Sequence, residues 1–202
     1  MKESVSSFLS NVLSVILGIA ITFAVQGMID RSRVRKDVRS ALKLIRTELQ
    51  SNRADIATMA DYLDSERAAA KYFLSLDDVW TGASSDSVGI YGGILLSDAS
   101  IALSDDALQL LKMSSLFQSI GNDGLSMKII HAYDTCELIA AALNRHIEAR
   151  NVRLGEVEDI RTFFTSAEGR KALRLISLQA NPARISETVD LETAIQAIDN
   201  YL

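Results

Sequence analysis

The sequence predicts an all-α protein: one N-terminal transmembrane helix continues into a long amphipathic helix, which packs with a helical bundle. Three observations predict this fold. An uncharged apolar segment lies near the N-terminus, a long stripe of apolar residues at helical spacing follows it, and Pro182 is the only proline among 202 residues. Frequent Ala and Leu with so little Pro favour helices over strands. The length suits a membrane anchor and one compact domain.

Changes in composition divide the chain into four parts. The first two are a transmembrane anchor, residues 1–30, and a basic amphipathic helix, residues 31–76. A loop with a short helix follows at residues 77–103, where Ser, Asp and Gly are dense enough to end the long helix. Residues 104–202 form the predicted helical bundle.

The predicted anchor is the uncharged stretch FLSNVLSVILGIAITFAVQGMI at residues 8–29. About 20 such residues cross the hydrocarbon core of a bilayer as a helix. A cleaved signal peptide is the first alternative, but its apolar part usually spans about 7–15 residues, and here Glu3 offsets Lys2 in the short leading segment. A buried core helix is the second, although such a helix usually carries a polar stripe. We therefore expect an uncleaved, single-pass signal anchor.

Basic residues follow the apolar stretch, whereas its N-terminal side is nearly neutral. They are Arg31, Arg33, Arg35, Lys36 and Arg39. Under the positive-inside rule this asymmetry places the C-terminal domain in the cytoplasm, with the anchor in the inner (cytoplasmic) membrane. The same side chains are expected to contact anionic headgroups, which makes the lipid bilayer a predicted partner.

The charge of the chain is unevenly distributed. Residues 1–53 hold nine basic and four acidic side chains, a net +5, so the total of −5 leaves −10 on residues 54–202. Because nucleic-acid binding needs a basic surface, an acidic domain argues against DNA or RNA as a partner.

A heptad-like stripe follows the basic residues, with spacings that alternate between four and three. Its members are Val38, Leu42, Ile45, Leu49, Asn52, Ile56, Met59 and Leu63. Glu66 falls on the same stripe and marks where it weakens. Either later helices of the chain or the same helix of a second copy could cover such a stripe as in a coiled coil, and in the second case Asn52 could fix the register.

Further helices are predicted along the rest of the chain. Ser104, followed by Asp105 and Asp106, is a typical helix start, because a capping hydroxyl precedes two carboxylates in the first turn. That helix is expected to reach about Ile120. The later helices are predicted near residues 125–154, 156–164, 167–179 and 187–201.

Two short motifs carry a resemblance to a known group of proteins. They are ELQSN at residues 48–52 and YGGILLSDASIALSDDALQLL at residues 91–111. With the anchor and the basic stretch, they resemble an uncharacterised family of bacterial single-pass, membrane-anchored helical proteins, over about the first 135 residues. The sequence has Gln26, Gly27 and Met28 where that family would be expected to have Asn and Trp. The resemblance implies a bacterial membrane protein and no catalytic residue.

No group of residues favours catalysis or a cofactor over a structural role. His131, Asp134 and Glu137 form a polar row on one predicted helix, but their spacing matches no recognised metal motif. Cys136 lies among apolar neighbours, which is typical of a buried core residue. His146 is expected at the solvent boundary. We therefore predict no catalytic residue, no metal site and no cofactor.

These observations favour a non-catalytic, membrane-tethered helical scaffold or accessory subunit that mediates protein–protein assembly. The expected partner is another membrane protein or further copies of the chain, because small and polar residues in the anchor, such as Ser14 and Gly18, can pack on another membrane helix. The alternative is a membrane-anchored sensor whose helical bundle binds a small ligand.

Overall fold

The structure is a computed structural model that describes the backbone at residues 2–155, 157, 159–179, 181 and 189–202. Before residue 30, side chains are described only at Leu17, Thr22, Gln26 and Met28. Most side chains of the predicted anchor therefore lie outside the described residues, as does the predicted start of the last helix at Glu187. No helix qualifies as a membrane span on the residues that are described.

The all-α prediction is confirmed, since the described residues form helices and no strand. The helices are α1 (Lys2–Ser75), α2 (Ser85–Leu96), α3 (Asp106–Met113), α4 (Leu116–Ser119), α5 (Asp123–Leu154), α6 (Ile160–Thr165), α7 (Ala167–Leu178) and α8 (Val189–Tyr201). Helix α1 is unbroken over 74 residues, about 110 Å at 1.5 Å per residue. Its end at Ser75 agrees with the loss of helix-forming residues after that point.

One predicted helix is divided in the structure. The helix expected from Ser104 to about Ile120 is divided into α3 and α4, because the backbone at Ser114 is extended (φ −87°, ψ 152°). Residues 77–103, predicted as a loop with a short helix, contain α2 over twelve residues. Of its glycines at positions 89, 92 and 93, Gly92 lies directly against Ile160, where a Cβ would come within 2.8 Å of the Ile160 side chain, whereas a Cβ at Gly89 or Gly93 would meet nothing within 4 Å.

Contacts between helices define a bundle of four arms in which consecutive arms run antiparallel. Tyr72 of α1 stacks on Tyr91 of α2, whereas Tyr62 donates to the Ile94 carbonyl. Because the later residue of α2 contacts the earlier residue of α1, the two helices are antiparallel. Glu48 of α1 contacts Tyr133 of α5, and Glu66 of α1 contacts His146 of α5. Because the residue numbers increase in the same direction along both helices, α5 runs parallel to α1.

The fourth arm consists of α7 and α8, and it runs antiparallel to α1. Arg170 of α7 donates to the Leu74 carbonyl near the end of α1. In α8, Glu192 pairs with Arg53 and Asp199 pairs with Arg46, so the C-terminus of the chain returns to the beginning of the bundle. The order of the arms is α1, then α2 to α4, then α5, then α7 with α8, which is the up-down-up-down arrangement of helix bundles.

The apolar core is divided into two clusters. The larger cluster contains the stripe of α1 and is completed by α3, α5 and α8, through residues such as Leu111, Ile129 and Ile198. The smaller cluster is built around Phe73 and Phe164, whose ring centroids lie 4.7 Å apart. The division falls between Leu63 and Ala69 on α1 and between Ile147 and Leu154 on α5.

Candidate functional site

The basic segment, residues 31–39, projects beyond the bundle. Every side chain from Asp30 to Asp37 is exposed, and Val38 is the first buried residue among those of α1 whose side chains the structure describes. Eight exposed residues correspond to about 12 Å of helix. Within the described residues, none of the five basic side chains forms an ion pair, so their charge is free to meet an external anionic surface. These residues are Arg31, Arg33, Arg35, Lys36 and Arg39.

The stripe of α1 is covered by other arms of the same chain. Its eight positions are at most 9% exposed: Val38, Leu42, Ile45, Leu49, Asn52, Ile56, Met59 and Leu63. Helices α3, α4, α5 and α8 contact α1 along this face. The side chains that a second copy would need for a coiled-coil seam are thus already packed within one chain.

The two motifs that carry the family resemblance are in contact. Asn52, from ELQSN, donates to the Ser104 carbonyl at 2.7 Å and accepts from the Ser104 amide at 3.0 Å. Glu48, from the same motif, accepts from the Ala107 amide at 3.1 Å and from the Ser104 hydroxyl at 2.6 Å. Together they fasten the start of α3 to α1, because a carboxylate at a helix N-terminus satisfies free amide groups and interacts favourably with the helix dipole.

Tyr133 completes this polar contact from α5. Its hydroxyl donates to Glu48 at 2.5 Å. Burial, with the Glu48 carboxylate beside it, raises the pKa of Tyr133 far above its usual value, so the phenol stays protonated. A single carboxylate therefore joins α1, α3 and α5. In the sequence, Glu48 and Ser104 belong to two separate motifs. Nothing in their spacing predicts that the two residues are in contact.

A second group of polar side chains, the charge layer, separates the two apolar clusters. It consists of Glu66 on α1 with His146 and Arg150 on α5. The side chains of Glu66 and Arg150 are 1% and 2% exposed, and Arg150 Nε lies 3.6 Å from Glu66 Oε1. His146 Nε2 lies 3.1 Å from Glu66 Oε2. The expectation that His146 lies at the solvent boundary is wrong, because its side chain is only 9% exposed and packs on this carboxylate.

Arg150 also ties the charge layer to the end of α2. Its guanidinium donates to Tyr62 Oη at 2.5 Å, to the Ser97 carbonyl at 2.9 Å and to Asn151 Oδ1 at 2.7 Å. By contrast, Glu66 Oε1 accepts no hydrogen bond within the described residues, and it meets Arg150 only through the ion pair at 3.6 Å. Glu66 does not simply end the α1 stripe. It is the centre of a buried electrostatic contact.

The α2–α3 linker, residues 97–105, is non-helical and contacts both α1 and α5. Arg150 binds its beginning, Asn144 donates to the Ile101 carbonyl at 3.3 Å, and Asn52 binds its end. Ile101 is buried at 8% exposure. Buried backbone groups in a segment without secondary structure need side-chain partners, and these three polar residues provide them.

A recess of about 440 Å³ lies between α3 and α5, beside this linker. Leu103, Leu108 and Lys112 line one wall, and Tyr133, Cys136 and Ala140 line the other. Burial raises the pKa of the Cys136 thiol to about 11. Because the thiol is protonated at neutral pH, this cysteine has the properties of a packed core residue and lacks those of an activated nucleophile.

The polar row on α5 does not gather a ligand set. His131 and Asp134 are exposed, and no group of three potential metal ligands converges in the part of the chain that the structure describes. Neither a protein-family model, nor a curated protein, nor a solved structure matches this chain.

Proposed function

We propose that this protein is a membrane-tethered helical module without catalytic activity, in which α1 carries a folded bundle at a fixed distance from the bilayer. The exposed basic segment supports the proposal most strongly. It follows the uncharged residues 8–29, and within the described residues its five cationic side chains form no ion pair with the bundle. A basic helix in that position fits an anionic lipid surface, at about 1 kcal/mol for each Lys or Arg near the headgroups.

Fractionation of cells that express the full chain tests the tether. The protein should remain in the membrane fraction after washing with alkaline carbonate, which releases peripheral proteins. Release into the wash would overturn the proposal. A matched variant with the five basic residues changed to Gln should still be retained, because the apolar segment holds it.

The orientation has its own test. We propose that the bundle faces the cytoplasm, so protease added to spheroplasts should leave it intact and protease added to inverted vesicles should digest it. The Gln variant should lose this strict orientation, because the positive-inside rule depends on the Lys and Arg residues that it lacks. Digestion of the wild-type bundle in spheroplasts would contradict the proposed topology.

The proposed role is assembly with another membrane protein. Because the stripe of α1 is packed internally, contacts with a partner fall on the anchor or on the outer surface of the bundle. Leu110 and Met113 lie one turn apart on α3 and are 63% and 87% exposed. Purification in mild detergent, followed by mass spectrometry, should identify a stoichiometric partner. Changing both residues to Asn should reduce its recovery, whereas Leu178→Asn, at an exposed position on α7, should not.

A sensor is the second candidate, and the recess between α3 and α5 favours it. Its volume lies within the range of about 300–1,000 Å³ that is usual for small-molecule sites. Glu48 and Asn52 hold the linker that forms one of its edges. Occupancy of the recess could therefore change the packing of α1, which leads to the membrane. A ligand-dependent change in protease sensitivity of α1 would support this role, and unchanged cleavage at saturating ligand would contradict it.

A further inference from the structure

We infer that the recess between α3 and α5 binds a small organic cation with an apolar body. This inference names the ligand class of the proposed sensor. It rests on the sensor function only for the statement that binding of the ligand acts as a signal. It does not depend on the membrane anchor, so binding and membrane retention can fail separately.

The floor of the recess suits an uncharged, partly aromatic ligand body. Leu108 and Cys136 are buried there, and Ala140 leaves space where a larger side chain would fill the volume. Tyr133 also lines the recess, and its hydroxyl donates to Glu48. Phenol rings attract cations through their faces, most strongly where water is excluded. A floor of buried apolar side chains with one aromatic residue is therefore present before any ligand arrives.

The rim of the recess selects the sign of the charge. Asp105, Asp134 and Glu137 line it together with Lys112, which gives three negative charges against one positive charge. Within the described residues, none of these four side chains forms an ion pair. An anionic ligand would meet a net repulsion, whereas an ammonium group in the recess would have carboxylates on both walls.

Calorimetry with three compounds of one shape tests the inference on the full chain in mild detergent. The probes are 2-phenylethylamine as the cation, 2-phenylethanol as its neutral counterpart and 3-phenylpropionate as the anion. The amine should bind with a dissociation constant below about 1 mM, as expected of a fragment of this size. The other two compounds should bind at least about tenfold more weakly.

Variants assign the binding to the recess. Asp134→Asn combined with Glu137→Gln should weaken amine binding about tenfold, since each exposed charge pair contributes modestly. Ala141→Phe, at the exposed mouth, should abolish binding without disturbing the core. The matched control is Glu148→Gln, an exposed carboxylate on the same helix outside the recess, and it should bind as the wild type does.

Three results would overturn the inference. They are equal binding of the alcohol and the amine, unchanged amine binding in the variant that lacks two carboxylates, and no detectable binding of the amine at millimolar concentration. Circular dichroism of each variant verifies that the bundle is folded, so that a loss of binding reports on the recess.

Discussion

Replacing Arg150 by Met should strongly destabilise the bundle. Methionine keeps most of the apolar stem and removes the charge that faces Glu66 across 3.6 Å. The Glu66 side chain is 1% exposed and would remain buried without its cationic partner. Removing one member of a buried ion pair typically costs about 3–5 kcal/mol, because the remaining charge is uncompensated. We expect a loss of that size in the free energy of unfolding, a large fraction of the roughly 5–15 kcal/mol typical of a domain.

A double variant separates the unpaired charge from the loss of packing. Glu66→Leu together with Arg150→Met removes both charges and joins the two apolar clusters. Replacing a complete buried pair by apolar residues is often neutral or stabilising. The double variant should therefore recover at least about 2 kcal/mol relative to Arg150→Met alone.

Urea unfolding of the full chain in mild detergent, followed by far-ultraviolet circular dichroism, measures these differences. Arg145→Met is the matched control, because Arg145 is exposed on the same helix and forms no ion pair within the described residues. It should change stability by no more than about 0.5 kcal/mol. A loss below about 1 kcal/mol for Arg150→Met, or a double variant as unstable as the sum of its single changes, would refute the reasoning.

Three further predictions concern other parts of the bundle. Leu49→Ala, at a position with 0% exposure, should lower the free energy of unfolding in the same urea assay by about 2–5 kcal/mol, and a loss below 1 kcal/mol would contradict its place in the core. Asn122→Ala removes the side chain that caps α5 by accepting from the Leu125 amide at 3.0 Å, so urea unfolding should show a loss of about 1 kcal/mol, whereas no change would exclude a capping role. The rate of Cys136 alkylation by iodoacetamide should increase with pH, with a midpoint at about pH 11, because burial favours the neutral thiol over the thiolate. A midpoint near the ordinary value of 9.0 would contradict this.

The sequence indicates most helices, because an amphipathic helix requires apolar residues at intervals of three and four positions. The alternation of three and four from Val38 to Leu63 predicts both the helix and its buried face, and the buried residues of α5 follow from Leu125, Ile129 and Cys136 in the same way. Breaks are harder to predict. The separation of α3 from α4 depends on an extended backbone at Ser114, a residue whose type does not exclude a helix.

Polar contacts between arms could not be predicted from spacing. Glu66 interrupts an apolar stripe, and this is the one local signal that a buried charge exists. Its partners His146 and Arg150 lie 80 or more positions later, and any of the other basic residues could have fulfilled that role. Glu48 and Ser104 are similar, since the local sequence around neither residue indicates a distant partner. Long-range pairing depends on the order and direction of the arms, which local periodicity does not specify.

The central claim, that α1 carries the bundle from within a bilayer, is tested most directly by spin-label accessibility along α1. Single cysteines at Leu17 and Gln50, in a Cys136→Ala background, place one label within the predicted anchor and one on an exposed position of the bundle. In bilayers, the label at position 17 should collide readily with oxygen and scarcely with a water-soluble nickel complex, and the label at position 50 should do the opposite. Equal access of the nickel complex to both positions would contradict a membrane tether.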